Sequence, residues 1–233
     1  MCGRYTLTAN FPDLTQSFPH FSFSEDHSPR YNIYPTQSVL AVSNDDRYYV
    51  HNFRWGLIPY WAKSQSVGNR MINARSETLA EKMSFKIPYQ KQRCLILADG
   101  FYEWVKNKDG SKTPFYIHLS SNEVFTFAGL WESWLPPNGN AEIKSCTIIN
   151  TRANKFMSNL HHRMPVIIET ENHDRWLSSR NCRPEDLVDL LRPYQDDDLI
   201  AYPVSKRVNS PGNDDLDCIK SSPEENAQPP LPF

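Results

Sequence analysis

Cys2 stands beside the initiator methionine in Met1-Cys2-Gly3-Arg4. Removal of Met1 is expected, because the next side chain is small. It leaves one residue with a thiol and a free α-amine on adjacent carbons. Their reference pKa values are about 8.5 and about 7.7–8.0. A small fraction of each is therefore expected in its nucleophilic form at neutral pH. The amine of such a 1,2-aminothiol condenses with an aldehyde to an imine. The thiol then closes on the imine carbon to give a five-membered thiazolidine. An internal cysteine has no such route. Position alone is equally compatible with Cys2 being the plain start of a frayed terminus.

Other segments could serve that chemistry. Asp99-Gly100-Phe101-Tyr102-Glu103-Trp104 follows the apolar run Cys94–Ala98. As a strand it puts Phe101 and Glu103 on one face and Tyr102 and Trp104 on the other. A carboxylate among aromatics, partly desolvated, suits proton transfer near neutral pH; the alternative is a Glu103 that faces solvent. His161-His162-Arg163 places two imidazoles side by side, and in an extended segment only one can enter a given site. Arg163 is a natural partner for phosphate or carboxylate. Asn73 and Arg75, two apart, share one face of an extended segment. Asn73 can equally satisfy backbone groups ahead of a helix capped by Ser76. Arg54-Trp55-Gly56-Leu57-Ile58-Pro59-Tyr60-Trp61-Ala62-Lys63 and Arg30-Tyr31-Asn32-Ile33-Tyr34-Pro35 interleave bases with aromatics. Such segments stack nucleobases and track phosphates, or bury their tryptophans and leave the charges outside.

The elements that must position these residues are mostly strands. Short segments rich in Val, Ile, Tyr and Phe, bounded by Gly, Pro, Asn or Asp, occupy 4–8, 39–43, 47–53, 94–98, 101–105, 114–119, 124–130, 145–151, 165–168 and 199–204. Helical patterns are fewer: 76–82, 171–178 and 184–191, the last with Pro184 in its first turn. Strands do not alternate with long helices, so a doubly wound sheet is disfavoured. The pattern predicts an α+β fold: a single domain on a large, mostly antiparallel, partly closed β-sheet with a few peripheral helices. From Ser221 the chain is Ser, Pro, Glu, Asn and Gln, and a disordered tail is expected.

Composition limits the remaining classes. The five cysteines are odd in number and widely spaced, with no CxxC or HExxH, so neither a metal nor another cofactor is expected. Free thiols fit a reducing cytoplasm. No apolar leader and no membrane-length apolar run occurs. The net charge of −2 hides an asymmetry: residues 194–233 carry eight acidic and three basic side chains, which leaves the rest mildly basic. That permits an anionic ligand without requiring one.

Taken in order, eight segments resemble the SOS-response-associated peptidase family, the abasic-site processing proteins. They are Met1-Cys2-Gly3-Arg4, Tyr31 through Gln37, Trp55 through Pro59, Asn73 through Thr78, Ala98 through Trp104, Phe127 through Glu132, His161 through Pro165, and Val204-Ser205 through Val208-Asn209. Tyr34 departs from the pattern, where the family often has a small residue. The resemblance implies a domain over about 1–218, with 219–233 as tail. It implies binding of abasic sites in single-stranded DNA and a covalent thiazolidine cross-link through Cys2. This follows self-removal of Met1, a peptidase step, and shields the lesion in the DNA damage response. It assigns Cys2 as nucleophile and Asn73 as the group that positions the amine or the opened sugar. Glu103 and His161 become proton-transfer groups. Arg4, Arg75 and Arg163 become phosphate contacts, with Trp55 and Pro35 in the DNA surface. Weak lyase activity is expected where ring closure is blocked. A DNA-associated cytoplasmic monomer without membrane contact completes the expectation. Two rivals stand beside it: an N-terminal-nucleophile cysteine hydrolase, and a non-covalent single-strand binding module.

Overall fold

The computed structural model describes residues 2–23, 27–137, 139, 141–178, 183–195 and 197–222. In chain order the strands are β1 (Tyr5–Leu7), β2 (Ser22–Phe23), β3 (Arg30–Ile33), β4 (Ser38–Ser43), β5 (Asp46–Trp55), β6 (Asn73–Arg75), β7 (Arg93–Ala98), β8 (Gly100–Lys106), β9 (Lys112–Leu119), β10 (Phe125–Trp134), β11 (Ile143–Arg152), β12 (Arg163–Pro165), β13 (Ile167–Ile168) and β14 (Leu199–Pro203). The helices are α1 (Phe11–Ser17), α2 (Met83–Lys91), α3 (Lys155–Ser158) and α4 (His173–Trp176).

The strands divide between two sheets. One runs β14-β9-β8-β1-β3. The other runs β12-β11-β10-β7-β4-β5-β2, with β6 added on β11 and β13 on β10. Most pairs are antiparallel, but β5 also pairs in parallel with β11. That closes β5-β4-β7-β10-β11 into a ring. Strand β7 is buried along its whole length, which explains the unbroken apolar run from Cys94 to Ala98. The α+β reading with a partly closed sheet holds, distributed over two sheets.

The chain passes from the ring to the second sheet at Asp99-Gly100, between β7 and β8. Asp99 is buried and ties β1 down there. Its Oδ1 accepts from Thr6 Oγ1 (2.6 Å). Its Oδ2 accepts from Thr8 Oγ1 (2.8 Å), Ala9 N (3.0 Å) and Thr8 N. Gly100 next to it must lack a side chain, because a Cβ would lie 2.3 Å from the Tyr116 hydroxyl oxygen.

The helical expectations need correction. Residues 76–82 form only a single 3-10 turn, Ser76–Thr78, and Ser76 caps nothing; the helix nearby is α2. The span 171–178 becomes a 3-10 turn, Thr170–Asn172, followed by the single turn of α4. Pro184–Leu191 is a 3-10 helix that buries Leu187, Leu190 and Leu191. The expected tail also begins too early. Ser221 bridges Val204, and the Tyr202 hydroxyl donates to the Ile219 carbonyl (2.8 Å), so the packed chain reaches Ser222. The rest of the expected tail lies outside the described residues, as do Met1 and Cys182.

Candidate active site

Cys2 enters the fold just before β1 and is fully buried. The Asn73 amide Nδ2, at the start of β6, donates to the Cys2 carbonyl at 2.7 Å. That carbonyl belongs to the Cys2–Gly3 peptide, so the contact does not depend on Met1. The thiol donates to the Arg4 carbonyl at 3.4 Å.

The pairing of β1 with β8 brings in Glu103. Tyr5 faces Phe101 and Thr6 faces Gly100. The Tyr102 N–H donates to the Arg4 carbonyl (3.0 Å), and extending that register by one residue sets Glu103 opposite Gly3. The face assignment predicted for this strand is correct: Phe101 joins the main core, while Tyr102 and Trp104 pack with Tyr116, Val204 and Val208. Glu103 is only 4% exposed. Burial pushes the Cys2 thiol well above its ordinary pKa, and the Glu103 carboxylate adds to the push. The thiolate expected for an exposed Cys2 is therefore disfavoured in this environment.

His161 is half-buried in the turn before β12, and His162 is exposed. Their rings nevertheless stack at 4.2 Å, because the backbone turns here instead of running extended. The Arg163 backbone nitrogen lies 3.0 Å from His161 Nδ1. Nδ1 also lies 3.2 Å from the Arg163 carbonyl oxygen, so the tautomer decides which of the two contacts is the hydrogen bond. Burial lowers the pKa of His161, while Glu103 pulls it the other way. In the tautomer that accepts from the Arg163 N–H, Nε2 carries the hydrogen and is a donor.

Asn73 is itself held in place. Its Oδ1 accepts from Asn150 Nδ2 at 3.0 Å. Asn150 is buried on β11, next to β6, and was not singled out in the sequence. Its backbone and side-chain oxygens accept from Arg163 Nη2 at 2.7 and 3.2 Å. Arg163 also forms a two-pronged pair with Glu77, at 2.6 and 2.9 Å. Only the long-range pairing of β6, β11 and β12 unites these residues. No local signal in the sequence marks Asn150, and the motif Asn73 through Thr78 contains Glu77 without indicating its partner.

The expected DNA contacts separate into different environments. Arg75 is exposed on β6. Arg4 is committed within the protein: Nη1 donates to Asn32 Oδ1 (2.7 Å) and the Val208 carbonyl (3.1 Å), and its guanidinium lies 5.4 Å from the Tyr34 ring centre. The departure at Tyr34 thus supplies a cation–π partner. Pro35 is half-buried in the turn that follows β3, beside Thr36, whose φ is +78°. Trp55 requires correction as a DNA surface. It is fully buried, its indole donates to the Ile72 carbonyl (2.9 Å), and Tyr5 packs edge-on at 5.2 Å. The exposed aromatics of that segment are Tyr60 (62%) and Trp61 (45%). Interleaved aromatics signal stacking surfaces without saying which rings face outward.

Residues 1–211 match the family described as SOS response associated peptidase (SRAP), and the chain belongs to it. It is 46% identical over 224 residues to the abasic site processing protein YoqW of Bacillus subtilis, covering 95% of this chain and all of that one. It is 34% identical over 191 residues to the abasic site processing protein HMCES of Gallus gallus, covering 72% of this chain and 56% of that one. A crystal structure of a protein from Bacteroides thetaiotaomicron shares the fold, with a TM-score of 0.85 at 24% identity over 95% of this chain and all of that one. No helix among the described residues is long and apolar enough to cross a membrane.

Proposed function

We propose that this protein processes abasic sites in single-stranded DNA by capturing them as a thiazolidine on Cys2. The observation that carries the reading is the Asn73–Cys2 contact together with the register that lays Glu103 opposite Gly3. It holds the first peptide still beside a carboxylate. Relatives named abasic site processing proteins support the same substrate class.

The reaction begins once Met1 has been removed, a step the protein performs on itself. Glu103 assists opening of the sugar hemiacetal to the aldehyde. His161 Nε2–H donates to the oxygen that becomes the departing water. The Cys2 amine attacks C1′ and water leaves, giving the imine. The buried thiol then adds to the imine carbon, and its proton passes through Glu103 to the imine nitrogen, which takes up the C=N electron pair. One aldehyde and one aminothiol become one ring and one water. The raised thiol pKa favours this order, with the amine attacking first. Single strands are preferred, because extruding the lesion from a stacked duplex costs on the order of a few kcal/mol. Arg75, Arg163 and the Tyr60-Trp61 corner provide phosphate and stacking contacts. Pro35 and the remaining edge of Arg4 border the same strand.

The test is a denaturing gel of the protein incubated with a single strand carrying one abasic site. The expected result is a slow-migrating adduct, absent with Cys2→Ala and labile with Cys2→Ser, since oxazolidines are less stable than thiazolidines. Tight binding without any adduct would support the binding module. Amide hydrolysis without an adduct would support the hydrolase.

A further inference from the structure

We propose that Glu77, a surface carboxylate, is a positioning residue for the Cys2 reaction; this rests on the function proposed above. A single run of hydrogen bonds links it to the nucleophile. Glu77 accepts from Arg163 (2.6 and 2.9 Å), Asn150 Oδ1 accepts from Arg163 (3.2 Å), Asn73 Oδ1 accepts from Asn150 (3.0 Å), and the Cys2 carbonyl accepts from Asn73 (2.7 Å).

The direction of that run is chemically determined at its outer end. Each carboxamide can sit in two orientations that differ only by exchange of its oxygen and nitrogen. A guanidinium can only donate, so it draws the Asn150 oxygen toward itself and turns Asn150 Nδ2 toward Asn73. Asn73 Oδ1 accepts that bond, which leaves Asn73 Nδ2 for the Cys2 carbonyl. Were Asn150 reversed, Asn73 would reverse with it and set its oxygen against the Cys2 carbonyl oxygen. Glu77 can only accept, and its two oxygens match the guanidinium fork. It therefore holds Arg163 in the orientation that sets both amides. The Arg163 side chain is 12% exposed and that of Glu77 is 51% exposed. The pair thus sits at the edge of the site, within reach of a DNA phosphate that could compete for the guanidinium. Arg163 lowers the pKa of Glu77, in keeping with an ionised partner.

A role in alignment separates rate from affinity. Glu77→Gln removes a negative charge beside a polyanion, so DNA binding should hold or tighten. The cross-linking rate at saturating DNA should fall on the order of tenfold, because a small displacement of a reacting group is costly. Affinity is measured in the Cys2→Ala background with abasic-site single strands, with and without Glu77→Gln. Rate is measured by single-turnover gel assays with Cys2 present, and thermal melting confirms folding. Glu77→Asp keeps the charge and should recover part of the rate. A slower rate with affinity unchanged or increased supports the role. An unchanged rate, or rate and affinity falling in parallel, overturns it while leaving the proposed function intact. Failure of the wild type itself to form an adduct overturns the proposed function and this role with it.

Discussion

Asp99→Leu should loosen the strand that delivers Cys2, and the size of the effect follows from the contacts of Asp99. The carboxylate accepts from Thr6 Oγ1 on one oxygen, and from Thr8 N, Thr8 Oγ1 and Ala9 N on the other. A leucine of similar size accepts none of these bonds, so the backbone donors of Thr8 and Ala9 lose their acceptor. Each backbone donor left without its acceptor costs about 1–3 kcal/mol. Thr8 and Ala9 are half-buried, so water recovers part of that. A loss of about 2–4 kcal/mol results, well within what a single buried polar substitution does. For a chain of this size it corresponds to a fall in Tm of roughly 4–16 °C. Calorimetry gives the Tm, and amide exchange of residues 5–9 shows where the loosening lies. The cross-linking rate should fall as well, because β1 carries the nucleophile into the site. A Tm within about 2 °C of wild type, with unchanged protection of residues 5–9, would refute the reasoning; calorimetric scatter is smaller than the expected shift.

Other consequences can be checked independently. His173 is buried against Phe21 and bonded to Thr126 Oγ1 (3.0 Å), and burial lowers its pKa to about 4. The unfolded chain takes up this proton below about pH 6.5 and the folded chain only below about 4, so roughly 3 kcal/mol of stability present above pH 6.5 is lost as pH falls through that window. Urea melts across pH 4–7 should show this loss, and His173→Gln should flatten it; a wild-type profile level over that range contradicts the assignment. Cys2, buried and with its pKa raised, should react with iodoacetamide far more slowly than a free thiol in native protein at pH 7.5 and at ordinary speed after denaturation. Equal native and denatured rates would show the thiol is accessible. Replacing both Tyr60 and Trp61 by Ala should weaken single-strand binding by about 1–3 kcal/mol per stacked base while leaving the salt slope unchanged. Titrations at two salt concentrations read both quantities.

The strands were legible because period-2 patterns and flanking Gly, Pro and Asn report directly on a pleated, half-buried backbone. Residues 101–104 even carried the correct face assignment. Helix α2 was invisible for the opposite reason. Pro88 lies inside it, and it buries only Pro88 and Tyr89, so it lacks the apolar stripe that marks a helix. Cys2, Asn73, Glu103 and His161 were reached through motifs, and the structure shows what each touches or faces. Asn150, Glu77 and Asp99 were not assigned roles, since they act through contacts with residues distant in sequence. The misassignment of Trp55 has a similar origin. Its indole proton goes to Ile72, seventeen residues away, which no local pattern encodes.

The most direct test of the account is mass analysis of the purified adduct with abasic-site single strands. After proteolysis, the DNA should map to a peptide that begins at Cys2, lacks Met1 and carries the strand less one water, stable without any reductant. An adduct that retains Met1, maps to a lysine, or survives only after borohydride trapping would contradict ring closure on Cys2.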